Sequence, residues 1–566
     1  MRVDVGSVED LTTNGCLTGK AGTMPVCVFW HDGRAYAVDD RCPHMGFPLH
    51  RGTVENGLVT CHWHHARFDL ASGGTLDPFA DDVRAYPVEL DGDRVVVLAE
   101  PQPDRVAHLY RRLEEGLEQG LTLVTAKAVL GLLDSGQAPG DIVAAGVDFG
   151  VRYRREGFGS GLVVLTAMAN LLPHLAADDR APALVHGLAF VSRDTRGHVP
   201  RFPLEPLTTR DVEPDRLVGW YRRFIDTRSA DAAERALVTA IAAGHDDAVA
   251  HMLWAAATDH VFLDGGHTVD ITNKAFESLE HVGKERAGAV LPSLVFQTAR
   301  AGREEVRSEW RHPHDLVGLV ARAEQRLAVA PDAPGLADDA VAALGWQLLA
   351  DEPPAVIDAL VAAAGGGATL EQLARAVAFA ASLRIVRFHT QNDHGDWDVV
   401  HHGLTAASGV HHAVVRTPVP ELVRAVVHGA LKVYLDRFLN VPAARLPTAT
   451  SGDLADLGAC WDEQGRVDEA GTIVHGFLAA GGDPAEAIAA LGHALLAEDA
   501  EFHWFQTVEA AVQQFHAWPR ASVPARLILV GAARFLAAHT PTRRELPQVV
   551  RIATRLRRGE ALYEEA

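Results

Sequence analysis

The sequence predicts a chain of two structural classes in series. A small all-β domain, residues 1–102, is followed by a large all-α domain, residues 105–566, made of about four related multi-helix repeats. Three observations predict this. Residues 1 to about 100 read as short strands separated by turns. From Arg105 onwards, Ala, Leu, Val and Arg recur at three- and four-residue spacing, the period of an amphipathic helix. A chain of 566 residues is also too long for one ordinary core.

The elements follow in order. Val26–Trp30, a turn at His31-Asp32-Gly33-Arg34 and Ala35–Val38 form a hairpin signal. A second hairpin signal runs from Ala85 to Leu90, turns at Asp91-Gly92-Asp93 and returns from Arg94 to Leu98. Pro87 places its first strand at an edge or a strand start. Glu100-Pro101-Gln102-Pro103-Asp104 is a proline-bearing linker. Apolar residues at helical intervals then begin in Arg105–Leu121. Four segments open with a proline and an apolar run, at Pro182, Pro292, Pro420 and Pro524. Proline at a first helical turn removes a donor that has no partner there. Helical stretches at Asp247–Thr258, Leu373–Arg384 and Ala485–Ala497 precede the last three. This is the basis for four units, although Ala-rich helices also resemble one another without common descent.

Apolar residues make up 48% and charged residues 22% of the chain, a globular profile. The formal charge of −22 argues against nucleic acid or an anionic membrane as partner. The N-terminus lacks a basic stretch leading into an apolar one, and no apolar run approaches 18 residues, so a cytoplasmic protein is expected. The five cysteines are Cys16, Cys27, Cys42, Cys61 and Cys460; they are too sparse for a disulfide framework. Lysine occurs only at 20, 127, 274, 284 and 432, which makes a Lys inside an apolar run conspicuous.

The strongest motif is Cys42-Pro43-His44, sixteen residues, then Cys61-His62-Trp63-His64. Two Cys and two His are what a [2Fe–2S] centre needs when thiolates hold one iron and imidazoles the other. Glycines and prolines at Gly46, Pro48, Gly52 and Gly57 let the loops fold over such a cluster and aim N–H groups at sulfur. A Cys₂His₂ zinc site is the competing reading, but zinc fingers lack this long Gly/Pro-rich context. His62 and His65 match no ligand position.

Cys42-Pro-His-Met-Gly-Phe-Pro-Leu49 and Cys61-His-Trp-His-His-Ala-Arg-Phe-Asp-Leu70 resemble the Rieske ferredoxin and ring-oxygenase family over residues 20–100. The resemblance implies Cys42, His44, Cys61 and His64 as cluster ligands, with the imidazoles at an exposed tip. Respiratory Rieske proteins carry an extra Cys in each loop, where Phe47 and Trp63 stand here. The resemblance therefore implies the lower-potential branch, reduced through an NAD(P)H-dependent reductase or a ferredoxin.

Rieske oxygenases usually add an α+β domain with a D-x-x-H-x-x-x-x-H iron motif. Asp264-Gly-Gly-His267 and Asp398-Val-Val-His401 begin correctly, but Thr272 and Ala406 stand where the second His belongs. That domain is not expected. Histidines nevertheless concentrate around both tetrads, at His260 and His267 and at His389, His394, His401, His402, His411 and His412. In the fourth unit, Glu498-Asp499-Ala-Glu501-Phe-His503 occupies the comparable junction. His260/Asp264 and Asp499/His503 are both i,i+4 pairs, which share a face if the helix is continuous. His and carboxylate side chains from several helices are how bundles build non-haem iron sites. Asp398-Val-Val-His-His402-Gly-Leu-Thr-Ala-Ala-Ser408 also resembles the questin-oxidase-like family, which implies an all-helical oxygenase of fused aromatic rings with His402 as a ligand. His428 and Lys432 are i,i+4 in an apolar helix; a desolvated, neutral Lys could capture CO₂ and become a carboxylate ligand, whereas a snorkelling Lys keeps its ammonium in water.

The candidate second-metal ligands are thus His260, His267, His389, His402, His428, Lys432 and His503. The function expected is a Rieske-dependent oxygenase. Its [2Fe–2S] cluster would feed electrons to non-haem iron in the helical domain, for an organic substrate and O₂. The alternative is an electron-transfer or redox-responsive binding protein whose helical repeats are a docking scaffold. No Gly-rich phosphate fingerprint follows a strand, so the electrons must come from a partner. A homo-oligomer is compatible with either reading.

Overall fold

The computed structural model describes residues 1–22, 24–99, 105–155, 157–209, 211–330, 332–560 and 562; the linker expected at 100–104 lies outside them. The chain folds into two compact units, Met1–Ala138 with Gln548–Ala566, and Pro139–Pro547.

Among the described residues, the first unit has ten strands: β1 (Arg2–Ser7), β2 (Cys16–Ala21), β3 (Met24–His31), β4 (Arg34–Asp39), β5 (Thr53–Glu55), β6 (Leu58–Thr60), β7 (Arg67–Asp69), β8 (Ala85–Tyr86), β9 (Val88–Asp91) and β10 (Arg94–Leu98). They form three antiparallel sheets, ordered β1-β10-β9, β2-β3-β4-β8 and β5-β6-β7. The first expected hairpin is β3–β4, with Phe29 opposite Tyr36. Asp32 and Gly33 both take positive φ at its tip, as a two-residue hairpin turn requires. Side chains alternate across β3, so one strand feeds two cores: Val26 and Val28 enter one apolar cluster, and Cys27 and Phe29 the other. The second hairpin is more divided than its sequence suggested. Pro87 has no N–H for a ladder and splits the outgoing strand. As a result β8 pairs with β4, while β9 pairs with β10.

Secondary structure changes class where expected, since β10 ends at Leu98 and a helix starts at Arg105. Packing divides the chain elsewhere. Helices Arg105–Gln119 and Thr122–Asp134 belong with the strands rather than with the helical unit. Arg112, buried, donates to the carbonyls of Pro78 and Ala80 at 3.2 and 2.8 Å. Lys127 donates to the carbonyls of Pro43 and His44.

The second unit is helical. All four sequence-marked prolines sit at helix starts: within Arg180–Thr195 and Val523–His539, and just ahead of Ser293–Arg300 and Leu422–Leu435. Helix Leu370–Val386 is buried along most of its length. The two i,i+4 pairs do not lie on continuous helices. Helix Asp246–Thr258 stops before His260, and Phe262, Asp264, Gly265 and Gly266 are left-handed. Helix Phe502–His516 begins after Asp499, whose carboxylate instead accepts from the amides of Glu545 and Leu546. Among the described residues, no helix is long and apolar enough to cross a membrane.

Candidate metal centres

Two tight turns, one between β4 and β5 and one between β6 and β7, carry the first candidate centre. The Cys42 amide donates to Phe47 O at 2.8 Å and Gly46 N to Cys42 O at 2.7 Å; Cys61 N donates to Ala66 O at 2.9 Å and His65 N to Cys61 O at 3.0 Å. These paired turns present Cys42 and Cys61, both buried and neither in a disulfide, to each other. The hydrogen bond between them pulls Cys61 below the usual thiol value and pushes Cys42 above it. The amides of His44 and Met45 aim at the Cys42 sulfur, and those of Trp63 and His64 at the Cys61 sulfur. Four N–H groups thus converge on two sulfurs, an arrangement that stabilises thiolates.

The imidazoles of His44 and His64 meet edge-on, 4.7 Å apart. His44 also packs on Phe79, and its Nδ1 is buried without a hydrogen-bond partner. Burial, helped by the Lys127 charge, pulls its pKa down to about 4. A buried, unprotonated ring nitrogen with nothing to bond is what a metal ligand looks like without its metal. Thiolate and imidazole donors therefore fit a [2Fe–2S] cluster. His62 is engaged elsewhere, 2.6 Å from Thr53 Oγ1.

A second candidate site lies in the helical unit. His267 starts helix His267–Val282, His402 sits in Asp396–Arg416, and His503 sits in the first turn of Phe502–His516. One ring nitrogen from each lies within 4.8 Å of the other two. His402 Nε2 and His503 Nε2 are 3.4 Å apart. The left-handed run before His267 explains how its helix gets so close. A Cβ at Gly266, where φ is +100°, would sit 2.8 Å from the Cβ of Ala406 and from the Phe262 ring. Asp264 pins this turn, donating its amide to Gly302 O at 2.9 Å and accepting from Gly302 N at 2.6 Å.

Burial and neighbouring rings keep two of the three imidazoles neutral, His402 down to about 2 and His503 down to about 4. Burial pulls on His267 as well, but Asp270 and Asp264 outweigh it and the net shift is upward. Asp270 Oδ2 lies 3.2 Å from His267 Nδ1, which leaves Nε2 for the site. His401, fully buried beneath the group, bonds Trp397 O through Nδ1 at 3.0 Å and leaves Nε2 unpartnered. Asp398, His401 and His503 form a second, overlapping group of metal-ligating atoms. His267, His402 and His503 are only partly buried, so the triad has an open side.

Comparison with known proteins bears on the first centre. The family described as "Rieske [2Fe-2S] domain" matches residues 1–87. The 3-phenylpropionate/cinnamic acid dioxygenase ferredoxin subunit of Photorhabdus laumondii is 36% identical over 101 residues, 17% of this chain and 95% of that protein. The ferredoxin component of the alkene monooxygenase system of Xanthobacter autotrophicus is 31% identical over 102 residues, 18% of this chain and 84% of that protein. The chain belongs to the Rieske [2Fe–2S] family. Apoptosis-inducing factor 3 of Mus musculus is 28% identical over 172 residues, 30% of this chain, which spans only 26% of that relative. The solved ferredoxin of carbazole 1,9a-dioxygenase from Nocardioides aromaticivorans aligns at 25% identity, over 18% of this chain and 99% of that one, with a TM-score of 0.17.

Of the candidate Rieske ligands, the structure sets Cys42 beside Cys61 and the His44 ring against that of His64. Of the seven candidates for a second metal, three converge. The other four have other partners or surroundings. His260 lies between Glu305 Oε1, 2.6 Å from its Nδ1, and Asp226 Oδ1, 3.2 Å from its Nε2, so both ring nitrogens are engaged by surface carboxylates. His389 accepts from the Gln391 amide at 3.1 Å and lines a separate cavity of about 750 Å³. His428 is fully buried, and burial pulls it down to about 3. Lys432 is not a desolvated free amine: it is ion-paired with Asp436 and donates to Val399 O at 3.2 Å, near enough for its charge to depress His402.

Sequence reasoning missed the ring beneath the triad and the polar stripe beside it. His401 belongs to the histidine concentration read from the sequence, but not to the candidate ligand set. Asp270, Lys274 and Glu277 follow His267 at helical intervals and are all buried. Lys274 Nζ bonds Glu277 at 2.6 Å and Glu509 at 2.7 Å. The signal was available: Lys274 is one of five lysines in the chain.

Proposed function

We propose that this protein is a Rieske-dependent oxygenase. Single electrons from an NAD(P)H-dependent reductase or a ferredoxin would enter through the [2Fe–2S] domain and serve non-haem iron held by His267, His402 and His503. The substrate would be an organic molecule of the aromatic or polyketide class, which the resemblance around His402 implies. The observation that carries this reading is the convergence of three imidazoles, from residues more than a hundred positions apart in the chain, in a chain that already owns a one-electron carrier. Iron on imidazole ligands supplies O₂ activation when electrons reach it.

The chain's own residues suit that use. His402 and His503 are neutral at physiological pH and need lose no proton to bind a metal. Asp270 fixes the ring of His267 through Nδ1. Three protein ligands leave coordination positions free, and the open side of the triad admits small molecules, as catalytic rather than structural sites do. Ferredoxin components of dioxygenase and monooxygenase systems among the relatives support the electron-delivery half.

The test is to count iron and acid-labile sulfide in purified, iron-replete protein, and to measure O₂ consumption after chemical reduction. Iron in excess of sulfide, with O₂ uptake lost in His402→Ala, is expected. Equal iron and sulfide, with no other metal in the helical unit, would sink the oxygenase reading. The protein would then be an electron carrier whose helical unit docks a client.

A further inference from the structure

Lys127 lies in the apolar run Leu123-Val-Thr-Ala-Lys127-Ala-Val-Leu130, on a helix that follows the strands of the Rieske fold. Among the described residues, its partly buried ammonium donates to two carbonyls, those of Pro43 and His44. These carbonyls are not arbitrary. Each peptide group couples one residue's C=O to the next residue's N–H. The group whose oxygen is Pro43 O donates through the His44 amide, and the group whose oxygen is His44 O donates through the Met45 amide. The His44 and Met45 amides are the pair aimed at the sulfur of Cys42. One ammonium therefore sits behind both peptide groups that hydrogen-bond this cluster thiolate.

We propose that Lys127 tunes the Rieske cluster, raising its reduction potential by polarising the Pro43–His44 and His44–Met45 peptide groups that donate to Cys42. The physics has two parts of the same sign. Reduction adds one negative charge to the cluster, which a nearby cation favours. A peptide whose oxygen is bound by a cation is also a stronger N–H donor, and stronger N–H···S bonds favour the reduced state. Asp81, Arg112 and Arg41 also face Lys127; Asp81 lies 3.1 Å from Arg112 and 3.1 Å from His108, so its charge is shared among several cations. The device goes beyond the ferredoxin fold. The Photorhabdus ferredoxin subunit is 95% spanned by 101 residues of this chain, which leaves no room for the helix that carries Lys127.

The experiment measures midpoint potential by voltammetry in the full-length chain, with the visible and EPR spectra as controls for an intact cluster. Lys127→Met should lower the equilibrium constant for one-electron reduction about tenfold, about 59 mV. Lys127→Gln, which can still bond a carbonyl but carries no charge, should fall between. Lys127→Arg, which keeps the cation, should stay within about threefold of wild type. An intact cluster with unchanged potential in Lys127→Met would overturn the proposal, even if thermal stability fell, because a purely structural tie predicts that pattern. If Lys127→Met fails to assemble a cluster, equal potentials in Lys127→Gln and Lys127→Arg would overturn it as well.

Discussion

His503→Ala is the perturbation that bears most directly on the second centre. His402 Nε2 and His503 Nε2 stand 3.4 Å apart. Two nitrogens each about 2.1 Å from one metal, at a tetrahedral angle, are separated by about 3.4 Å, so this spacing already suits shared ligation. Removing His503 deletes one of three imidazoles and leaves two, both also needed. Loss of an outer-shell partner alone typically lowers metal affinity 10–100-fold; loss of a direct ligand should cost at least about 100-fold. After desalting, wild type should retain about three irons per two acid-labile sulfides, following the ligand counts of the two centres. His503→Ala should retain about two, with the Rieske visible spectrum unchanged. His260→Ala is the control: its ring is held by Glu305 and Asp226, so it should keep the third iron. Metal analysis by mass spectrometry against a sulfide assay gives the ratio. A third iron that survives in His503→Ala, or is lost equally in His260→Ala, would refute the reasoning.

Three further outcomes are expected. His44→Ala and His64→Ala should abolish the Rieske EPR signal, whereas His62→Ala and His65→Ala should keep it, because Thr53 binds His62 and the His65 amide serves only to close the Cys61 turn. Lys274→Met should destabilise the helical unit by about 3–5 kcal/mol in denaturant titrations, since it leaves Glu277 and Glu509 buried without their shared cation; the loss should grow on going from pH 5 to pH 8, as the two buried carboxylates are driven to ionise without that cation. Acid should destabilise the native chain early. His186 and His428 are deeply buried and pulled down to about 4 and 3, so below pH 6.5 the unfolded chain takes up protons that the folded one refuses. Each should contribute about 2 kcal/mol of lost stability between pH 6.5 and 5, seen as a falling Tm; a flat Tm across that window would show that these rings are not buried neutral.

What the sequence determined by itself is whatever local chemistry dictates. Cys42/His44 and Cys61/His64 were legible as a candidate ligand set because they sit on two short turns whose hydrogen bonds are local, and such turns are encoded within a few residues. The helix starts at Pro182, Pro292, Pro420 and Pro524 were legible for the same reason, since a proline's missing donor is a local fact. The tertiary structure decided what joins residues far apart in the chain. Nothing local distinguishes His267, His402 and His503 from His260, His389 and His428. The difference arises because a left-handed turn ending at Gly266 lets one helix close on Ala406, while Glu305 and Asp226 capture His260. The domain boundary followed the same rule. Secondary structure changes at the end of β10, but Arg112 and Lys127 bind carbonyls of the cluster domain, so two helices pack with the strands. Only packing could pair Lys127 with the two peptide groups that face Cys42, because side-chain reach across an interface leaves no periodic trace in a sequence.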